Sequence, residues 1–288
     1  LTSISWEWIF LINVPIGIFI VIAGHYVLGA VEGQRVPLDI WGAILATLGS
    51  TALVLGLTSA GKGASNPVFI VAMLVGIASL GAFFITQKHT ENGVLPLSLF
   101  TRRDRVFTFI AIFLLGAIMT TVAVFVALYV QTILKYTTLR AGLAFIPFAF
   151  ALALGAATAS KISMKWAPRW IILAGCIFMV IGFGWGTAIS EESTFWADIF
   201  PPTLIIGYGV GLVSIALTLS AVAGVKPIDV GPLTAISLVA QTLGGPIGLA
   251  FAGALAQSYT RHHGGADIPV TEMNSVQLHA LGEGYLLT

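Results

Sequence analysis

Eight stretches of the chain, 8–29, 40–60, 67–86, 107–131, 142–164, 170–189, 199–222 and 231–255, are apolar on every face. This repetition limits the fold more than any motif does. A helix crosses the hydrocarbon core of a bilayer, ~30 Å thick, with roughly 20 apolar residues, and its backbone polar groups satisfy one another without water. A membrane β-barrel would instead alternate apolar and polar residues over short strands. The runs therefore predict an all-α integral membrane protein, a helical bundle with about eight transmembrane helices. Glycine is spread through all of them, as membrane helices tolerate.

Charge agrees with that reading. Only 9% of the 288 residues are charged, whereas a soluble domain carries about 25%. A net charge of +1 gives no reason to expect nucleic acid as a partner; the expected partner is the lipid bilayer. Cys176 is the single cysteine, which excludes an internal disulfide and a cysteine metal cluster. His262 and His263 are adjacent and do not converge on a metal as an i, i+4 pair would, so no metal is expected. No GxSxG, HExxH or Walker pattern occurs, and no cofactor or enzymatic activity is expected. A membrane-embedded enzyme would need acids, His or Cys clustered in or beside the bilayer.

Lys and Arg in short loops set orientation. One set of alternate loops holds Arg35, Lys88, Arg102, Arg103, Arg105, Lys161, Lys165, Arg169 and Lys226. The other holds Lys62, Lys135, Arg140 and Arg261. The richer set is expected to be cytoplasmic, which leaves residues 1–7 and the tail 256–280 outside. The chain opens on Leu1 rather than Met, close to the first run, and LGEGYLLT at 281–288 turns apolar again. Both ends read as points inside a longer protein.

Five stretches carry a family resemblance. They are SWEWIFLINVPIG at 5–17, PLDIWGAILATLGSTALVLGL at 37–57 with Asp39, Trp41 and Gly42, LPLSLFTRRDRVF at 95–107, YVQTILKYTTLRAGLAFIP at 129–147, and QTLGGPIGLA at 241–250. In this order they resemble the fourteen-span drug:proton antiporters of the major facilitator superfamily, the EmrB/QacA type. The resemblance implies a fragment from about the sixth span to the start of the fourteenth. Residues 1–106 would hold the sixth span, two linker spans and a cytoplasmic link. Residues 107–288 would hold the C-terminal bundle, incomplete at its last span. An N-terminal half would be missing, and the coupling acids would lie there. Three features depart from the family's pattern: Lys135 stands where glycine is usual, Gln241 stands where many relatives have Arg, and KISMKWAPRW at 161–170 keeps only a weak echo of the superfamily's basic loop.

An ionisable residue inside a membrane is a functional candidate, but every acid and every Lys and Arg falls in a loop or at a span end. His25 is the one histidine within a run, and an interfacial role suits it. The polar candidates for a substrate path are therefore uncharged. Thr234, Ser237, Gln241, Gly244, Gly245 and Gly248 recur at spacings of three and four, on one helix face. Gly207, Gly211, Ser214 and Thr218 do the same in the preceding run. The glycines suit close helix packing or a path wall. Gln241 needs a polar partner or a watery cavity. Tyr129 and Gln131 form a further pair, as path residues or interfacial anchors. Pro246 removes a backbone donor and marks a candidate kink. Asp39 stands where a carboxylate would cap the second helix. Arg102, Arg103 and Arg105 form a basic cytoplasmic loop that reads as a topology determinant on anionic lipid or as a gate latch.

The function the resemblance implies is secondary active transport by alternating access. A small amphipathic substrate would leave the cell against protons as the coupling ion, across a bacterial cell membrane. The alternatives are an exporter of a metabolite or lipid in the same fold, and a non-transporting structural or regulatory membrane fragment.

Overall fold

The computed structural model describes residues 11, 13–27, 39–59, 66–89, 102–132, 135–186 and 199–262. The opening segment, Arg35, Lys62, Glu91, Glu191, Glu192, Asp198, His263, Asp267 and LGEGYLLT lie outside them. The described elements are all α-helical: α1 (Asn13–Val27), α2 (Ile40–Ser59), α3 (Pro67–His89), α4 (Arg103–Thr132), α5 (Thr138–Ala144), α6 (Ile146–Ile162), α7 (Pro168–Gly186), α8 (Phe200–Val222) and α9 (Pro227–His262). Seven described segments are long and apolar enough to cross a membrane, with α5 and α6 together forming one of them. The described part of the first run, α1, covers 15 residues.

Contacts divide the chain into two units, Leu1–Pro37 and Leu38–Thr288. In the first unit, α1 is apolar apart from Asn13 and His25 and carries no buried residue.

In the second unit α8 is the central helix. It packs most extensively against α6 and α7, and also meets α4 and α9. More than half of its span window, 56%, is buried, whereas no other described span exceeds 33%. The main apolar core forms around it. Ile206, Val210, Val213, Leu217 and Ala221 of α8 meet Phe109, Ile112 and Leu115 of α4, Met179 of α7 and Leu233 of α9. The other helices leave large apolar side chains exposed, such as Phe150 and Leu154 on α6 and Val180 and Ile181 on α7. A helix in a membrane needs no polar outer face, so large exposed apolar side chains of this kind suit an apolar surrounding.

Lipid is as apolar as leucine, so helices associate there through close van der Waals contact. The sequence GYGVG at 207–211 provides it on two sides of α8. Gly207 and Gly211 face α6, where a Cβ on Gly207 would stand 2.7 Å from the Phe148 carbonyl oxygen. Gly209 faces α7, where a Cβ would stand 2.6 Å from the Gly175 carbonyl oxygen. On α6, Gly155 answers with its own close approach to the Tyr208 backbone. The contact register shows that α6 runs parallel to α8, and α7 antiparallel.

Several serine and threonine hydroxyls are satisfied within their own helices. Thr158 donates to Leu154 O at 2.8 Å, Ser220 to Ala216 O at 2.8 Å and Thr242 to Leu238 O at 2.7 Å. This local bond lets a hydroxyl sit in an apolar medium at little cost. The break between α5 and α6 has a covalent cause. Pro147 has no N–H to give to the preceding turn, and the Phe145 N–H closes a tighter turn on Gly142 O at 3.1 Å.

Candidate functional site

Residues 113–120 and 241–248 bring α4 and α9 into contact along parallel paths. A Cβ on Gly116 would collide with the Gln241 carbonyl, and one on Gly244 with the Phe113 carbonyl. Gly245 lies against Thr120, where a Cβ would stand 2.6 Å from Oγ1, and Gly248 lies against Ala117. Gly244, Gly245 and Gly248 therefore seat the α9 backbone on α4. Gln241 lies half-buried within this seam. Its amide Nε2 is 4.0 Å from Met119 Sδ, a weak sulfur acceptor. Ser237 is half-buried and donates to Leu233 O at 2.8 Å. Thr234 is exposed and donates to Val230 O at 2.8 Å. The face expected to run from Thr234 to Gly248 thus changes character along its length: exposed at Thr234 and closed against α4 from Gln241 onward. Pro246 lies inside the one unbroken helix α9, as does Pro232.

The face expected on α8 divides as well. Gly207 and Gly211 are buried against α6, Ser214 is half-buried, and Thr218 is exposed and donates to Ser214 O at 2.9 Å.

Tyr129 and Gln131 lie in different surroundings. Tyr129 is buried with Val130, Ala141 and Ile199, and Val126 and Tyr136 pack on them. Gln131 is exposed and donates to Ala127 O of its own helix at 3.1 Å. Residues two apart on a helix point in different directions, so burying one turns the other outward.

The basic loop is corrected too. The helix begins at Arg103 rather than at 107, so Arg103 and Arg105 belong to its first turn. Arg102 is exposed and lies 3.9 Å from Asp104. Arg105 is buried, only 7% exposed, and is not a loop cation open to lipid. α4 also has an acid in that first turn, where the helix dipole favours one.

At the start of α2 the Gly42 N–H donates to Asp39 Oδ1 at 2.8 Å. The amide of Gln87, which is buried near the end of α3, donates to Asp39 Oδ2. A Cβ on Gly42 would strike both side chains. This group shows what Asp39 and Gly42 of that opening accomplish locally. Sequence reasoning missed Gln87; a lone amide at the end of an apolar run was the available signal. His25 is exposed and stacks edge-on against Tyr26, with ring centroids 5.7 Å apart.

An open apolar groove, lined by Leu48, Thr51, Leu55, Val68, Val71 and Val75 among others, runs along α2 and α3. None of the expected path residues lines it. Among the described residues no group of His, Cys, Asp and Glu could hold a metal ion.

The helix lengths, the apolar surface and the glycine seams define a multi-pass α-helical membrane bundle. No protein-family model matches the chain. Curated proteins do. The uncharacterized MFS-type transporter EfpA of Mycobacterium tuberculosis is 39% identical over 287 residues, which cover 99% of this chain and 54% of EfpA. The cephamycin export protein CmcT of Amycolatopsis lactamdurans is 31% identical over 86% of the chain and 52% of its own length. The multidrug export protein EmrB of Haemophilus influenzae is 29% identical over 85% of the chain and 49% of its own length. The chain belongs to the major facilitator superfamily. It spans about half the length of the curated relatives it matches.

Proposed function

We propose that this bundle is part of a secondary active exporter, a fourteen-span drug:proton antiporter. One observation carries the proposal: relatives named as export or resistance proteins align over most of the chain. In this reading two bundles rock around a site between them, and the substrate is a small amphipathic molecule driven out against protons. The described spans carry their polar groups as amides and hydroxyls, not as acids at mid-depth, which suits a half that shapes the path while coupling resides elsewhere. Residues 1–106 act as the sixth span, two linker spans and cytoplasmic link, and 107–288 as the C-terminal bundle, incomplete at its last span.

Gln241 is the leading path residue in this proposal. It is a long amide inside an apolar seam with a thioether for a neighbour, so a polar group on a substrate would improve its surroundings. Ser237, Thr234, Ser214 and Thr218 offer hydroxyls, but each described bond returns to its own helix. Gln131 and Tyr129 lie near the opposite end of α4 from Arg103, as candidates at the path's outer end.

The test is dye efflux from a bacterium depleted of its own exporters, with the coding region expressed together with its native flanking sequence. Energised cells should lose dye faster than vector controls, and a protonophore should abolish the difference. Equal dye retention at confirmed membrane expression would reject export. Efflux that survives collapse of the proton gradient would reject proton coupling.

A further inference from the structure

The turn between α6 and α7, residues 163–167, is short and firmly built. Ser163 N–H donates to Ala159 O, Lys165 N–H to Ile162 O and Trp166 N–H to Ile162 O, each at 2.9 Å. Pro168 then opens α7 with a preset backbone angle. Around this turn the side chains point outward. Met164, Trp166 and Trp170 are 82%, 60% and 52% exposed. Lys161, Lys165 and Arg169 are exposed beside them, and the Arg169 guanidinium lies 5.5 Å from the Trp170 ring.

Two features distinguish this turn. Three cations fall within nine residues, and no Asp or Glu occurs between Ser160 and Trp170. The basic residues elsewhere on the same end of the bundle have acids close in sequence: Arg102 with Asp104, and Lys226 with Asp229. The turn also joins two membrane-crossing segments directly, so it sits at the depth of the headgroups. Tryptophan favours that depth, and an uncompensated cation there meets lipid phosphate.

We propose that the α6–α7 turn is a binding site for anionic phospholipid headgroups of the cytoplasmic leaflet. Trp166, Trp170 and Met164 enter the interface, while Lys161, Lys165 and Arg169 hold the lipid phosphates. Exposed apolar residues of the flanking helices, such as Leu154 and Leu173, continue the surface toward the acyl chains.

The test is native mass spectrometry of the purified protein, equilibrated with equal amounts of phosphatidylglycerol and phosphatidylcholine of the same acyl chains. The wild type should retain phosphatidylglycerol preferentially. The variant Lys161→Gln/Lys165→Gln/Arg169→Gln should lose at least about fivefold of that preference, the effect of ~1 kcal/mol from one basic residue at an anionic surface. Lys135→Gln/Arg140→Gln changes exposed cations at the opposite end and should keep the preference. Lys161→Arg/Lys165→Arg should keep it too. An unchanged preference in the triple variant overturns the proposal. So does an equal loss in the opposite-end variant, which would mean net charge alone. Displacement of phosphatidylglycerol by inorganic phosphate at equal concentration would also overturn it, as a site for soluble anions.

Discussion

The side-chain amide of Gln87, near the end of α3, donates to the same Asp39 carboxylate that accepts the Gly42 N–H at the start of α2. One carboxylate thus caps a helix and ties two antiparallel helices together at their open end. Further along, the hairpin is held by glycine contacts, Gly49 on Leu80 and Gly76 on Leu53. Gln87→Leu should leave the cap in place but remove a buried donor to a charged acceptor. The expected loss is about 1.5–3 kcal/mol, read as a lower thermal midpoint by intrinsic tryptophan fluorescence in detergent. Gly42→Ala should cost at least as much, because its methyl strikes both Asp39 and Gln87. A midpoint equal to wild type in both variants would show that the tie contributes nothing.

Gly244 and Gly231 stand on the same helix in opposite surroundings. A Cβ on Gly244 collides with the Phe113 backbone, whereas one on Gly231 meets nothing within 4 Å. Gly244→Leu should separate α9 from α4 and cost about 3 kcal/mol or more, the upper range of overpacking. Gly231→Ala should be neutral or stabilising by up to about 1 kcal/mol, the helix propensity difference. Size-exclusion profiles and thermal midpoints of the two variants would settle the contrast.

Gln241→Ala should change which dyes are exported while preserving fold, because the half-buried amide can be removed without touching the glycine contacts beside it. Efflux rates for several chemically distinct dyes should shift relative to one another by a factor of at least about 5, equivalent to ~1 kcal/mol of differential binding. A uniform profile at normal expression would remove Gln241 from the path.

Lys135 has φ of +55°, the one positive value at a non-glycine residue among those described. A β-carbon is disfavoured there. Lys135→Gly should relieve the strain and raise stability by about 0.5–1 kcal/mol, less than the full strain because glycine also gains freedom in the unfolded chain. The Tyr136 N–H to Val130 O bond, 3.1 Å, and the Arg140 guanidinium over the Tyr136 ring, 3.8 Å, hold the turn in either case. A lower midpoint would show that the lysine side chain itself stabilises the turn.

The membrane-crossing helices were legible because lipid imposes one rule on length and polarity, and seven described segments obey it. Their ends were less so. The first turn of α4 is RDRV at 103–106, charged enough to read as loop, yet it is helical and buries Arg105. Helix faces were legible where spacing was three or four, as for Gly244 and Gly248. Spacing two turns neighbours apart: Tyr129 is buried while Gln131 is exposed. Partner choice was not legible. Gly209 sits between Gly207 and Gly211 in the sequence, and nothing in the string GYGVG says that it serves a different neighbour. The centrality of α8 was hidden for a related reason. Its residues are as apolar as those of lipid-exposed helices, because protein interior and acyl chains select the same side chains.

The two-sided glycine seam of α8 bears on how the bundle is made. Ribosomal synthesis delivers α6 and α7 before α8. Until the later helix arrives, the faces beside Gly155, Gly175 and Gly182 are open to fatty acyl tails. Completion of the bundle is therefore an exchange in which one helix expels lipid from two clefts at once. A single bulky residue in GYGVG would block that exchange late in biogenesis, and the product handed to quality-control proteases would be inserted but unassembled.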